Sequence, residues 1–86
     1  MIMEENFKAQ VLNEYCVKIT IDKKLDTKNL KIRLLGENRN LLISIDTPDY
    51  TLELCSKTDK PMFVEFIYDG KTYVKYVKGS GNDFYN

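Results

Sequence analysis

Residues Met62 to Lys78 form two alternating apolar and polar runs joined by Asp69-Gly70. Met62, Val64, Phe66 and Tyr68 share one parity of the first run, and Tyr73 and Val77 alternate with Val74 and Tyr76 in the second. An Asp-Gly pair supplies the positive φ angles that a two-residue type I′ hairpin turn needs. The β-branched and aromatic residues around it suit a pleated, half-buried surface. A period of two is incompatible with a helical stripe, so this stretch restricts the chain to a β fold.

Similar runs recur upstream. Tyr15, Val17, Ile19 and Ile21 alternate with Cys16, Lys18, Thr20 and Asp22. Leu30, Ile32 and Leu34 alternate with Lys31 and Arg33, and Gly36-Glu37-Asn38-Arg39-Asn40 forms a turn into Leu41, Ile43 and Ile45. Tyr50, Leu52 and Leu54 follow Thr47-Pro48-Asp49, where proline interrupts a ladder. Residues 6–14 fit either period: Phe7 and Val11 stand four apart, yet Phe7, Ala9 and Val11 also alternate with Lys8 and Gln10. The pattern predicts a single all-β domain over residues 1–86, an antiparallel barrel or sandwich of six to seven strands. A short N-terminal helix is the alternative for residues 6–14, and 1–5 and 79–86 read as flexible tails. Short connections predict a meander in which successive strands are neighbours.

Asp46-Thr47-Pro48-Asp49-Tyr50 places an aspartate four residues before a tyrosine at the start of a strand. This spacing resembles the tyrosine corner of immunoglobulin-like domains. The resemblance covers five residues; Leu52 stands where that family has its second cysteine, and the chain has no tryptophan. It implies a sandwich and carries no function.

The chain has no histidine, the usual proton shuttle near neutral pH and the commonest metal ligand. A serine or cysteine nucleophile would lack its ordinary base. Two cysteines with scattered carboxylates match no zinc spacing. Gly70-Lys71-Thr72 resembles the end of a P-loop, but Glu65 stands where the first glycine would be, and no helical pattern follows. The expectation is therefore a non-enzyme with no cofactor and no metal. Cys16 and Cys55 are too few for a disulfide-built mini-protein, and no apolar run reaches the length of a signal or membrane segment. A cytoplasmic setting with both thiols free fits best, although the two sulfurs would lie close if their strands were neighbours.

Thirteen basic and thirteen acidic residues balance, so bulk charge gives no footprint for nucleic acid. The signs are segregated along the chain: 18–39 is mainly basic and 40–69 mainly acidic. Side-by-side strands would interleave them as cross-strand pairs. Ten aromatics, six of them tyrosine, exceed what so short a chain buries, and tyrosine favours interfaces. Lys71, Tyr73, Lys75, Tyr76 and Lys78 interleave cations with rings, as single-stranded nucleic-acid platforms also do. The expected function is a non-catalytic protein-binding module, in the style of a small phage- or mobile-element-encoded inhibitor or adaptor that occludes a partner. Tyr73, Lys75, Tyr76 and Lys78 are the candidate partner-binding residues, with Phe84 and Tyr85 as a docking tail. A single-stranded nucleic-acid-binding barrel or a self-associating structural subunit is the alternative.

Overall fold

The computed structural model describes residues 4–77 and the backbone of 84–85. Seven strands, β1 (Phe7–Val11), β2 (Cys16–Ile21), β3 (Leu30–Leu35), β4 (Leu41–Asp46), β5 (Thr51–Cys55), β6 (Phe63–Tyr68) and β7 (Lys71–Val77), precede a two-residue β8 (Phe84–Tyr85). They form two antiparallel sheets, ordered β1-β2-β5 and β4-β3-β6-β7-β8. The fold is an open sandwich, not a closed barrel. The six runs read as strands, at 16–21, 30–35, 41–46, 51–55, 63–68 and 71–77, form the element their period demands.

Residues 7–11 are a strand and not a helix, because Phe7, Ala9 and Val11 all bury inward while Lys8 and Gln10 face solvent. These three apolar residues stand opposite Ile21, Ile19 and Val17 of β2. A helix would turn Ala9 away from that core. Only a three-residue 3-10 turn, Glu4–Asn6, precedes β1. Of the stretches read as flexible tails, residues 1–3, 79–83 and 86 lie outside the described residues; Glu4–Asn6 forms the turn, and β8 pairs antiparallel with β7.

The meander expectation fails at three connections. The chain crosses between sheets from β2 to β3, from β4 to β5 and from β5 to β6, so β2 pairs with β5 and β3 with β6. At the β4–β5 crossing Thr47 adopts φ 50° immediately before Pro48. A β-branched residue is strained there, and the preceding position of a proline disfavours the helical alternative. That conformation turns the chain from one sheet to the other.

Phe7 joins the sheets. Its ring stacks on Phe66 at 4.8 Å between centroids and touches Tyr73 at 5.2 Å. Ile19, Ile21, Ile32, Leu34, Val64 and Val77 fill the rest of the interlayer. Leu25, from the β2–β3 connection, plugs one end and is buried. Two tyrosines hold that plug: Tyr50 Oη donates to the Leu25 carbonyl at 2.8 Å, and the Asp26 amide donates to Tyr68 Oη at 3.1 Å. Tyr50 therefore does not bond the turn just upstream of it, as a tyrosine corner would; it reaches back 25 residues. Removing its hydroxyl with Tyr50→Phe should cost about 1 kcal/mol, read by urea denaturation.

Asp22 fixes the start of the same connection. Its Oδ1 accepts from the Lys24 amide at 2.9 Å and its Oδ2 from Asn6 Nδ2 at 3.0 Å. The Lys24 amide above all, with the Asn6 amide and the charges of Lys24 and Lys8, holds the carboxyl below its ordinary value of 3.8, while desolvation opposes the shift. A folded-state value below the unfolded one contributes stability above pH 3.8 that is lost as pH falls through the folded value. Asp22→Asn should therefore melt below the wild type at neutral pH, and the gap should close as melts are repeated toward pH 2.

The β6–β7 turn is the hairpin read from Asp69-Gly70: Asp69 has φ 49° and Gly70 φ 79°. A Cβ at Gly70 would meet no atom within 4 Å, so the backbone angle alone decides what fits. Gly70→Ala should cost about 1–2 kcal/mol, and Gly70→Asn clearly less, because asparagine tolerates this region; paired thermal melts check it.

The thiols are not free. Cys16 and Cys55 face each other across β2 and β5 and are joined as a disulfide. Flanking ladder bonds, Ser56 amide to Tyr15 carbonyl and Ile21 amide to Tyr50 carbonyl, leave Cys16 and Cys55 at a non-hydrogen-bonded pair. Facing residues approach closest at such pairs, and the two Cα atoms are 4.1 Å apart. The sequence places each cysteine on the more polar face of its strand but says nothing of which strand lies beside which.

Candidate functional site

The two sheets differ on their outer faces. On the three-stranded sheet the outward residues are Lys8, Gln10, Lys18, Thr20, Thr51 and Glu53, with the disulfide at one end. The strand residues of this face are polar apart from the disulfide, and the exposed Leu12 follows β1 at the disulfide end. The five-stranded sheet carries three cross-strand rows on its outer side. The first is Tyr76–Phe63–Leu35–Leu41, the second Val74–Glu65–Arg33–Ser44, the third Thr72–Ile67–Lys31–Asp46. Phe63 and Ile67 are half-buried, Leu35 is covered, and Val74, Tyr76 and Leu41 are exposed at 38%, 37% and 51%. Most of the large exposed apolar side chains among the described residues therefore belong to this one sheet. A solvent-facing sheet surface is ordinarily polar, and a contiguous apolar patch marks an interaction site.

Its charges are paired in place. Arg33 Nη1 lies 3.3 Å from Glu65 Oε1, and Lys31 Nζ lies 3.7 Å from Asp46 Oδ1. The Arg39 guanidinium sits over the Phe63 ring, 4.4 Å from its centroid. Phe63 and Tyr76 pack at 5.5 Å, a tilted pair that holds both rings in fixed positions. The segregated charges of the sequence thus meet as cross-strand partners: Lys31 with Asp46, Arg33 with Glu65, and Lys18 opposite Glu53. The Glu65 side chain is only 16% exposed. Arg33→Met should consequently cost about 1–2 kcal/mol, because it strands a largely buried carboxylate; urea denaturation measures it.

The candidate residues of β7 do not lie on one surface. Tyr76 is on the outer face, in register with Phe63. Tyr73 and Lys75 point between the sheets: Tyr73 packs against the core and touches Phe7, and Lys75 is 3% exposed. Lys75 is thus a buried lysine, whose long methylene stem suits the apolar interlayer. Lys78 lies outside the described residues. Phe84 and Tyr85 pair by backbone with Val77 and Tyr76. Phe63, Ile67 and Val74 complete the apolar face and were not among the candidates. The signal for them is present in the sequence: Phe63-Val64-Glu65-Phe66-Ile67-Tyr68 is apolar at both parities, the mark of a strand covered on both sides.

Among the described residues no group of histidine, cysteine and carboxylate side chains is arranged to hold a metal ion. Shallow surface depressions lie beside Asp22 and beside Asp59. In each the carboxylate is engaged by a neighbouring amide, Asp22 by Asn6 and Asp59 by Asn40 Nδ2 at 2.9 Å. No helix among the described residues is long and apolar enough to cross a membrane. Comparison with known protein families, with curated proteins and with solved structures finds no match.

Proposed function

We propose that this protein is a non-catalytic protein-binding module that docks through the outer face of its five-stranded sheet. The contrast between the two outer faces carries this reading: one is polar, the other presents Phe63, Ile67, Val74 and Tyr76 around a neutralised Arg33–Glu65 pair. Aromatic anchors with few unpaired charges are the composition of interface centres. Pre-set rings and sheet rigidity reduce the ordering cost on binding. An inhibitor or adaptor that covers a partner's surface is the activity such a face supports, and a mobile-element setting belongs to the same proposal; a cytoplasmic setting is part of it only with the Cys16–Cys55 bond open to cellular reductant.

Single-stranded nucleic acid is less well served. Phosphate contacts require cations free to replace counterions. Lys31 and Arg33 already face Asp46 and Glu65, and Arg39 lies over Phe63. The test is affinity capture from a lysate of the source organism, with and without nuclease, using the wild type and Val74→Lys/Tyr76→Lys. These positions are exposed, so the variant should keep the wild-type circular dichroism. A protein captured by the wild type in both conditions and lost by the variant is the expected result. Capture abolished by nuclease, or identical for both baits, would overturn the assignment.

A further inference from the structure

We propose that the Cys16–Cys55 disulfide is a reversible thiol–disulfide exchange site, whose reactant is a dithiol and whose opening releases strand β5. The bond lies on the outer face of the three-stranded sheet, with Cys55 exposed and Cys16 half-buried. A reductant can therefore approach without unfolding the domain. Among the described residues β5 is an edge strand whose ladder runs to β2 alone. Its inward side chains hold it modestly: Leu54 is buried but Leu52 only partly so. Tyr50 anchors the chain just before β5 through its bond to Leu25, and the disulfide anchors the last residue of the strand. Opening the bond leaves that end of β5 to backbone hydrogen bonds and one buried leucine.

The chemistry balances with a dithiol as co-reactant. A reductant thiolate attacks the exposed Cys55 Sγ; the Cys16–Cys55 bond breaks as a mixed disulfide forms. Cys16 leaves as a thiolate and takes a proton from water. The second thiol of the reductant then attacks the mixed disulfide, freeing Cys55 and leaving the reductant oxidised. Two electrons pass to the protein, and the reverse sequence closes the bond again.

The test equilibrates the intact protein with dithiothreitol in the absence of denaturant. Alkylation and mass measurement count the thiols, and hydrogen exchange by mass spectrometry follows each strand. Both thiols should appear while β3, β6 and β7 remain folded and protected, and peptides covering 51–55 should lose at least tenfold more protection than the peptides of those strands. Oxidised glutathione should restore the bond and the slow exchange. Cys16→Ala/Cys55→Ala should reproduce the fast β5 exchange in the folded protein without any reductant. Thiols that appear only when all strands lose protection together would overturn the proposal. So would unchanged β5 exchange after reduction, or a failure of oxidised glutathione to close the bond.

Discussion

Cys16→Ser/Cys55→Ser is expected to lower the melting temperature by about 15–30 °C. The bond closes a loop between residues 39 apart in sequence. In the chain-entropy treatment a loop of that length is worth about 4 kcal/mol. A domain of this size has a total stability on the order of 4–13 kcal/mol, so the bond supplies a large share. The steep conversion to temperature follows from the small unfolding entropy of a short chain. Thermal melts by circular dichroism, with and without reductant, check the value. The double variant should be insensitive to reductant, and the wild type in reductant should melt close to it. A shift of only a few degrees would mean that β2 and β5 are held by packing alone.

Phe66→Ala is expected to cost about 3–5 kcal/mol, enough to bring the domain near the edge of folding. Phe66 is fully buried at the middle of β6, in register with Ile32 of β3 and Tyr73 of β7. Above it lies Phe7 of the other sheet, stacked at 4.8 Å with the rings 19° from parallel. Truncation opens a cavity in the aromatic cluster where Phe7 meets Phe66, Tyr68 and Tyr73 across the layers, and rigid sheets collapse poorly into it. Phe66→Leu keeps most of the volume and should cost about 1.5 kcal/mol or less. Phe7→Ala should match Phe66→Ala, and the double variant should fall short of the sum by about 0.5–1.5 kcal/mol, the value of the ring pair. Urea denaturation of the wild type and the four variants gives all four quantities.

Much of the fold is legible in the residues. The six runs read as strands from residue 15 onward all form them, because a period of two buries one face only if the backbone is extended. The Asp69-Gly70 turn is legible because few residue pairs accept its angles. Residues 7–11 are not resolved by pattern: Phe7 and Val11 satisfy both periods, and only the facing Ile19 and Ile21 of β2 decide between them. Strand order is not legible either. The crossings after Ile21, Asp46 and Cys55 depend on contacts between residues distant in sequence, and the same lack of order hides the Cys16–Cys55 pair. For the candidate face, alternation separates Tyr73 and Lys75 from Tyr76 but does not say which side turns inward. Lysine at 75 argues for the outside by polarity; its long stem lets it line the interior instead. Phe63 and Ile67 go unnoticed beside Val64 and Phe66 because an apolar residue is credited to the core before the surface.

Covalent footprinting of the protein alone and in complex with its captured partner tests the docking assignment most directly. Labelling at Phe63, Ile67, Val74 and Tyr76 should fall on binding, while Lys8, Lys18 and Thr20 of the opposite sheet keep their free-state reactivity. Protection at Lys8, Lys18 and Thr20, with Val74 and Tyr76 still labelled, would contradict the account.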